Sequence, residues 1–199
     1  GAMDFSGADA MVDWGVKHGK KVRGHNLLWH GQTPDWYKEI GDRATAEKAL
    51  VQHVSGMCGR YAGRMHSWDV VNEVLNPRSG RPDGLRDSAF LQLIGPGYLD
   101  LAFQTARAAD PKALLVINDF NVEYAIDHNL AKRRLMLNLL DGFRQRGTPV
   151  DAVGIQSHLW LKIRDEFDPY GFAGFLNELS ARGLTILITE LDVIDVGAP

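Results

Sequence analysis

The 199-residue chain is long enough for one domain or part of one, and its 45% hydrophobic content excludes a disordered protein. The formal net charge of -3 provides no basic surface, so we expect neither a nucleic-acid nor a membrane partner. Cys58 is the single cysteine, which excludes a disulfide framework and a thiolate metal cluster. Gly1-Ala2-Met3 resembles a remnant of an expression vector, so the domain is taken as 4–199.

Helical and strand patterns alternate along the chain. In chain order the pattern predicts a helix over 7–18, a strand over 21–29, a helix over 45–63, a strand over 66–71, a helix over 87–109, a strand over 113–117, a helix over 127–146, a strand over 151–156, a helix over 168–182 and a strand over 185–189. Local stop signals support these boundaries, including Asp110-Pro111 and Gly147. The charged run 132–134 is interpreted as a solvated helix face.

Five near-continuous apolar strands separated by helices predict a parallel sheet covered by helices. Two architectures fit this pattern, a (β/α)8 barrel and an open doubly wound sheet. No glycine-rich phosphate loop follows a strand, which disfavours the nucleotide-binding version of the open sheet. Polar residues follow each strand, and a barrel would bring all of them to one face.

Two carboxylates stand at the ends of predicted strands. Glu73 follows the strand over 66–71, and Glu190 follows the strand over 185–189. Glycoside hydrolysis needs two carboxyl groups in one cleft, one to protonate the leaving oxygen and one to attack or to activate water. The alternative is that each glutamate is a solvated residue in a turn between strand and helix. The pair therefore suggests a sugar-cleaving site.

Five segments with polar residues follow one another along the chain: 24–36 (GHNLLWHGQTPDW), 68–73 (WDVVNE), 118–121 (NDFN), 154–158 (GIQSH) and 188–192 (ITELD). In this order they resemble the motifs of the third to seventh strands of glycoside hydrolase family 10, the endo-1,4-β-xylanases. Phe120 stands where members of the family often carry tyrosine. The resemblance implies a TIM-barrel α/β fold, here a partial barrel of about five parallel strands.

The resemblance also implies roles for individual residues. Glu73 would be the general acid/base and Glu190 the nucleophile of a retaining reaction, which requires carboxyl groups about 5–5.5 Å apart. Contacts with xylan or a xylo-oligosaccharide would come from His25, Trp29, Gln32, Asn72, Gln156 and His158, with Asp192 and His30 in support. From spacing alone, Asn72 fits a turn residue as well as a sugar-binding residue. A lone histidine after an apolar strand, such as His158, is more often structural than catalytic. Trp14, Trp36 and Trp68 are assigned to core packing.

Neither a metal nor a cofactor is expected. The pair His25 and His30 suggests a metal, but no third ligand stands at a suitable spacing. The resemblance implies a secreted or periplasmic location.

A complete barrel of this family has eight strands, and the motifs here correspond to strands three to seven. Two unpaired sheet edges would then promote self-association or require a completing polypeptide. We expect weak activity or none from the isolated chain, because groups that hold the sugar lie on the missing strands. Two alternatives stay open: a non-catalytic or self-assembling barrel fragment, and a related β-1,4-glycanase that acts on another glycan.

Overall fold

A computed structural model describes residues 4–195, so the predicted vector remnant at 1–3 lies outside the described residues. The strands are β1 (Arg23–Gly24), β2 (Leu28–Trp29), β3 (Ser67–Asn72), β4 (Leu114–Asp119), β5 (Ala152–Ile155), β6 (His158–Trp160), β7 (Thr185–Ile188) and β8 (Asp192–Ile194). The α-helices are α1 (Ser6–Lys17), α2 (Asp35–Lys38), α3 (Arg43–Arg60), α4 (Ala89–Ile94), α5 (Tyr98–Ala109), α6 (Asp127–Arg146) and α7 (Pro169–Ala181). Short 3-10 helices occupy His30–Gln32 and Leu161–Glu166.

The main sheet is parallel and has the order β1-β3-β4-β5-β7, with β2 also paired to β3. This confirms the predicted parallel α/β sheet, in which helices cross between successive strands. Every residue of β3 and β5 is buried, as expected for central strands covered on both faces. Over 4–195 the sheet does not close into a barrel, so β1 and β2 form one edge and β7 forms the other.

The edge strand predicted over 21–29 is divided in two. Gly24 pairs with Trp68 and Leu28 pairs with Val71, so this strand advances four residues where β3 advances three. The extra residue is a bulge, which interrupts the pairing and separates β1 from β2.

Helix boundaries follow the capping residues. Ser88 caps the start of α4 by accepting a hydrogen bond from the amide of Leu91. The single helix predicted over 87–109 is instead α4 and α5, because Gly95 adopts a φ of 84° and Pro96 follows it. Asp42 caps α3 from a position before the predicted start, through a 2.9 Å hydrogen bond from the Thr45 amide.

The prediction of a solvated face at 132–134 is wrong for two of its three residues. Lys132 is fully buried at 0% exposure, Arg133 is also buried, and Arg134 alone is exposed. The Lys132 ammonium donates to Asp119 Oδ1 at 2.5 Å and to the Phe120 carbonyl at 2.9 Å. These partners satisfy the charge, which otherwise would not be buried.

Two of the three tryptophans assigned to the core are exposed. Trp68 is buried, as predicted, but Trp14 is 58% exposed and Trp36 is 61% exposed. Trp14 lies on α1, at the uncovered edge of the described structure, and stacks on His18 at 4.5 Å between ring centroids. Trp36 lies on α2 and lines a surface hollow.

A second, unpredicted sheet joins β6 and β8 in parallel, with His158 opposite Asp192. Large apolar side chains at the end of β7 and in the segment that follows it face solvent, namely Ile188, Leu191 and Val193 of β8. No helix in the described part of the chain combines the length and hydropathy needed to cross a bilayer.

Candidate active site

The carboxyl ends of the strands of the main sheet surround one cavity of about 350 Å³. Its walls are His25, Trp29, Asn72, Glu73, Phe120, Gln156, His158 and Glu190. The two glutamates predicted from the strand ends therefore share a single cavity, together with five of the six predicted sugar-contacting residues.

Glu73 is held by contacts to its backbone and to its carboxylate. Its φ of 58° lies in the left-handed region, a conformation that costs a residue with a side chain about 1–3 kcal/mol. The Glu73 amide donates to the Asn118 carbonyl at 2.8 Å, and Arg86 Nε donates to the Glu73 carbonyl at 2.7 Å. Trp29 Nε1 donates to Oε2 at 2.9 Å, and Gln156 Nε2 donates to Oε1 at 3.3 Å. All donors to this carboxylate are neutral.

Glu190 has a different environment. Its Oε1 accepts a hydrogen bond of 2.8 Å from Asn118 Nδ2. Its Oε2 lies 3.2 Å from His158 Nε2, and the second imidazole nitrogen of His158 lies 3.0 Å from Asp192 Oδ1. The Glu190 carboxylate therefore lies beside an imidazole that can carry a positive charge.

Burial alone would lower the pKa of His158. The hydrogen bonds and charges of Asp192 and Glu190 outweigh burial, so the pKa of this imidazole lies above its ordinary value. The parallel pairing of β6 with β8 places His158 opposite Asp192 and so builds this arrangement. The structure thus brings His158 and Asp192 beside Glu190, and their predicted roles at the site stay predictions.

The amide side chains of Asn72, Asn118 and Gln156 connect the two carboxylates. Asn72 Oδ1 accepts from Asn118 Nδ2 at 2.9 Å and from Gln156 Nε2 at 3.1 Å. These two donors orient the Asn72 amide, so its Nδ2 is left to donate to a ligand. The Asn118 amide is fixed in turn by a 2.7 Å hydrogen bond from the Thr189 hydroxyl.

Asn118 was not assigned a role from the sequence, although it begins the motif at 118–121. The motif at 118–121 was the sequence feature that could have identified Asn118 as a site residue. The partners of Asn118 lie 46 and 72 residues away, so spacing could not identify them.

His25 faces the same cavity. Its Nδ1 lies 2.9 Å from Asp69 Oδ2 and 3.9 Å from Glu190 Oε1. The hydrogen bond to Asp69 is the main reason that the pKa of His25 is raised, with the charges of Asp69 and Glu190 adding to it against burial. Asp69 is fully buried and also accepts a hydrogen bond from Arg23. An anchored imidazole of this kind presents a fixed polar edge to a ligand.

Gln32 and His30 lie outside this cavity. Gln32 lines a neighbouring hollow of about 500 Å³ that shares His25 and Trp29 with the carboxylate cavity. His30 lies behind Glu73 beside Arg86, where burial lowers its pKa and its Nδ1 makes no hydrogen bond with the described residues. Over 4–195 no group of three histidine, cysteine or acidic side chains is placed to hold a metal.

Comparison with known proteins identifies the family. The sequence profile of Glycosyl hydrolase family 10 matches residues 1–198. The chain belongs to glycosyl hydrolase family 10. It is 38% identical over its whole length to endo-1,4-beta-xylanase 2 of Claviceps purpurea, of which it covers 57%. It is also 38% identical to endo-1,4-beta-xylanase 3 of Hypocrea jecorina, of which it covers 54%.

Solved structures agree with this assignment. A family 10 structure from Paenibacillus barcinonensis superposes with a TM-score of 0.86 at 34% identity, over 97% of this chain and 57% of that one. Xylanase 10B from Thermotoga petrophila, solved in complex with xylobiose, gives a TM-score of 0.85 at 31% identity, over 96% and 56% of the two chains. This family 10 chain thus spans little more than half the length of these four relatives, and its open parallel sheet corresponds to part of their (β/α)8 barrel.

Proposed function

We propose that this chain carries the catalytic centre of a retaining endo-1,4-β-xylanase, which hydrolyses internal β-1,4-xylosidic bonds. The observation that carries the proposal is the unequal environment of two carboxylates in one cavity. Glu190 contacts the imidazole of His158, whereas Glu73 receives hydrogen bonds from the neutral donors Trp29 and Gln156. A nucleophile must stay ionised and an acid must carry a proton, so this asymmetry fits Glu190 as nucleophile and Glu73 as acid/base.

The first step forms a covalent intermediate. A Glu190 oxygen attacks the anomeric carbon, the bond from that carbon to the leaving oxygen breaks, and Glu73 transfers its proton to the leaving oxygen. Asn72 Nδ2, oriented by Asn118 and Gln156, is placed to donate to the sugar 2-hydroxyl, a bond that strengthens in the transition state.

In the second step the Glu73 carboxylate takes a proton from water. The resulting hydroxyl attacks the anomeric carbon, the ester to Glu190 breaks, and the configuration is retained. Carboxyl groups about 5–5.5 Å apart are required for this reaction, and that separation stays a prediction.

Xylan is the proposed substrate because two of the compared relatives are endo-1,4-beta-xylanases and a similar structure holds xylobiose. The anchored His25 and the Trp29 ring, which lie between the cavity and the neighbouring hollow, are proposed to contact successive sugars. A secreted or periplasmic location belongs to the same proposal, because polymeric xylan does not enter cells.

The second candidate is a barrel fragment that binds glycan without turnover. Two observations favour this second candidate for the isolated chain: its sheet is open, and it covers only 57% of the Claviceps purpurea enzyme. The two candidates are separated by assaying reducing-end release from xylan and from cellulose, for the isolated chain and for a hybrid barrel. In this hybrid, the chain replaces the matched segment of the Claviceps purpurea enzyme.

We expect the hybrid to act on xylan and the isolated chain to be weak or inactive. A folded hybrid that binds xylobiose but releases no reducing ends would refute the catalytic proposal. Preferential release from cellulose would favour a β-1,4-glycanase of another specificity.

A further inference from the structure

Among residues 4–195, three non-glycine residues adopt left-handed backbone angles, and each lies just beyond a central strand. Glu73, Asn121 and Ser157 have φ values of 58°, 56° and 60°. Ser157 stands between Gln156, which donates to Glu73, and His158, which contacts Glu190. The backbone at Ser157 thus sets the direction of two side chains, one for each carboxylate.

A buried carboxylate holds this turn. Glu123 is only 2% exposed, and its Oε1 accepts a 3.0 Å hydrogen bond from the Ser157 amide. Its Oε2 accepts from the Val122 amide at 2.8 Å. Arg133 donates to the backbone carbonyl of Glu123, and no salt bridge to the Glu123 carboxylate occurs among residues 4–195. Burial raises the pKa of Glu123, although the backbone hydrogen bonds oppose this effect.

Burying a carboxylate that forms no salt bridge costs folding free energy, so a specific role for the Glu123 side chain is expected. On the other side of the turn, the Ser157 carbonyl accepts from the Asp192 amide at 3.3 Å. The N–H of Ser157 therefore donates to Glu123 in the loop after β4, and the carbonyl of Ser157 accepts from Asp192 of β8. If the first bond is lost, the strain at φ 60° is no longer offset, and the peptide is free to rotate.

We propose that Glu123 is a positioning residue that holds Ser157 in its left-handed conformation and thereby places Gln156 beside Glu73 and His158 beside Glu190. The roles of those carboxylates rest on the proposed xylanase function, whereas the positioning itself does not. A purely structural Glu123 would stabilise the fold without controlling His158.

The test uses the full chain and needs no turnover. The pKa of His158 is measured by NMR titration of its ring proton, and hydrogen exchange is measured at the Ser157 amide. In Glu123→Gln one of the two acceptor oxygens becomes an amide nitrogen that can only donate, so the Ser157 and Val122 amides can no longer both find an acceptor at this side chain. We therefore expect the His158 pKa to fall towards the ordinary histidine value of about 6.5 and the Ser157 amide to exchange at least about tenfold faster.

Two variants serve as controls. Leu179→Ala removes a fully buried side chain of α7, and Glu178→Gln makes the same chemical change on the surface. Both should leave the His158 titration unchanged. A folded Glu123→Gln protein with the wild-type His158 titration would overturn the proposal.

The decisive variant is Glu123→Gln combined with Ser157→Gly. Glycine adopts a φ of about 60° without strain, so this change should restore the His158 pKa. If the His158 pKa of the double variant stays as low as in Glu123→Gln, or if the double variant fails to fold, Glu123 acts through something other than the Ser157 backbone. Since no readout involves hydrolysis, failure here is distinct from failure to cleave xylan.

Discussion

Nε2 of His158 lies 3.2 Å from Oε2 of Glu190, and this contact joins the loop after β5 to the loop after β7. The same imidazole reaches Asp192 through Nδ1 at 3.0 Å. A doubly protonated ring donates to both carboxylates, whereas a neutral ring can donate to only one. Protonation of His158 therefore controls how firmly the proposed nucleophile is held.

The first prediction concerns this histidine. Asp192→Asn should lower the pKa of His158, because it removes one of the two carboxylate charges that, together with their hydrogen bonds, outweigh burial. A histidine with a raised folded pKa contributes stability that is present below its unfolded value and lost as pH rises through the folded value. Wild-type unfolding free energy should therefore lose this contribution as pH rises from about 6.5 through the folded pKa.

The measurement is urea unfolding across that range, together with NMR titration of His158. In Asp192→Asn the loss attributable to His158 should be smaller. Identical pH profiles and identical titrations in both proteins would contradict the assignment.

The second prediction concerns the nucleophile. Glu190→Ala in the hybrid barrel should reduce xylan hydrolysis by at least about a thousandfold, because no group remains to form the covalent intermediate. Glu178→Ala, on the exposed face of α7, is the matched control and should retain activity. Comparable activity in the two variants would remove Glu190 from the proposed role.

The third prediction separates the acid from the nucleophile. Glu73→Ala should slow xylan hydrolysis by about 10²–10⁴-fold, the usual contribution of general acid catalysis. Aryl xylobiosides with good leaving groups need little protonation, so the loss in their bond-cleavage step should be much smaller. The check is a series of leaving groups compared under pre-steady-state conditions, where an equal loss for all of them would argue against an acid role.

The fourth prediction concerns the buried ion pair. Lys132→Met should destabilise the chain by about 3–5 kcal/mol, because Asp119 would keep a buried carboxylate without its cation. Arg134→Met changes the exposed residue two positions later and should alter stability by less than about 0.5 kcal/mol. Chemical denaturation of both variants measures the difference, and equal small effects would show that the pair contributes little.

The fifth prediction concerns the open sheet. We expect the isolated chain to self-associate through the β7 edge and the apolar segment that follows it, where Ile188, Leu191 and Val193 are exposed. Leu191→Lys combined with Val193→Lys should shift sedimentation towards the monomer, and Tyr170→Lys at an exposed aromatic of α7 should not. A wild-type chain that stays monomeric at high concentration and unfolds cooperatively would refute this expectation.

Much of the fold could be predicted from local pattern. The alternation of apolar strands with helices predicted the parallel sheet, and Ser88 and Asp168 mark helix starts at the positions where they cap. The same reasoning missed the break at Gly95-Pro96, although a Gly-Pro pair is itself a local signal for the end of a helix. It also missed the β6–β8 pair, whose strands of three residues each are too short to produce a period-two signal.

The amino-acid sequence by itself determined that Glu73 and Glu190 stand at the ends of parallel strands, since strand ends are marked by local hydrophobic periodicity. Only the tertiary structure decided which side chains surround them. The contacts of Asn118 and Glu123 span 72 and 34 residues, and Lys132 is buried because Asp119 and Phe120 from another element meet it. Charge and periodicity along α6 are local properties, whereas a partner for a buried ion exists only once distant segments have packed together.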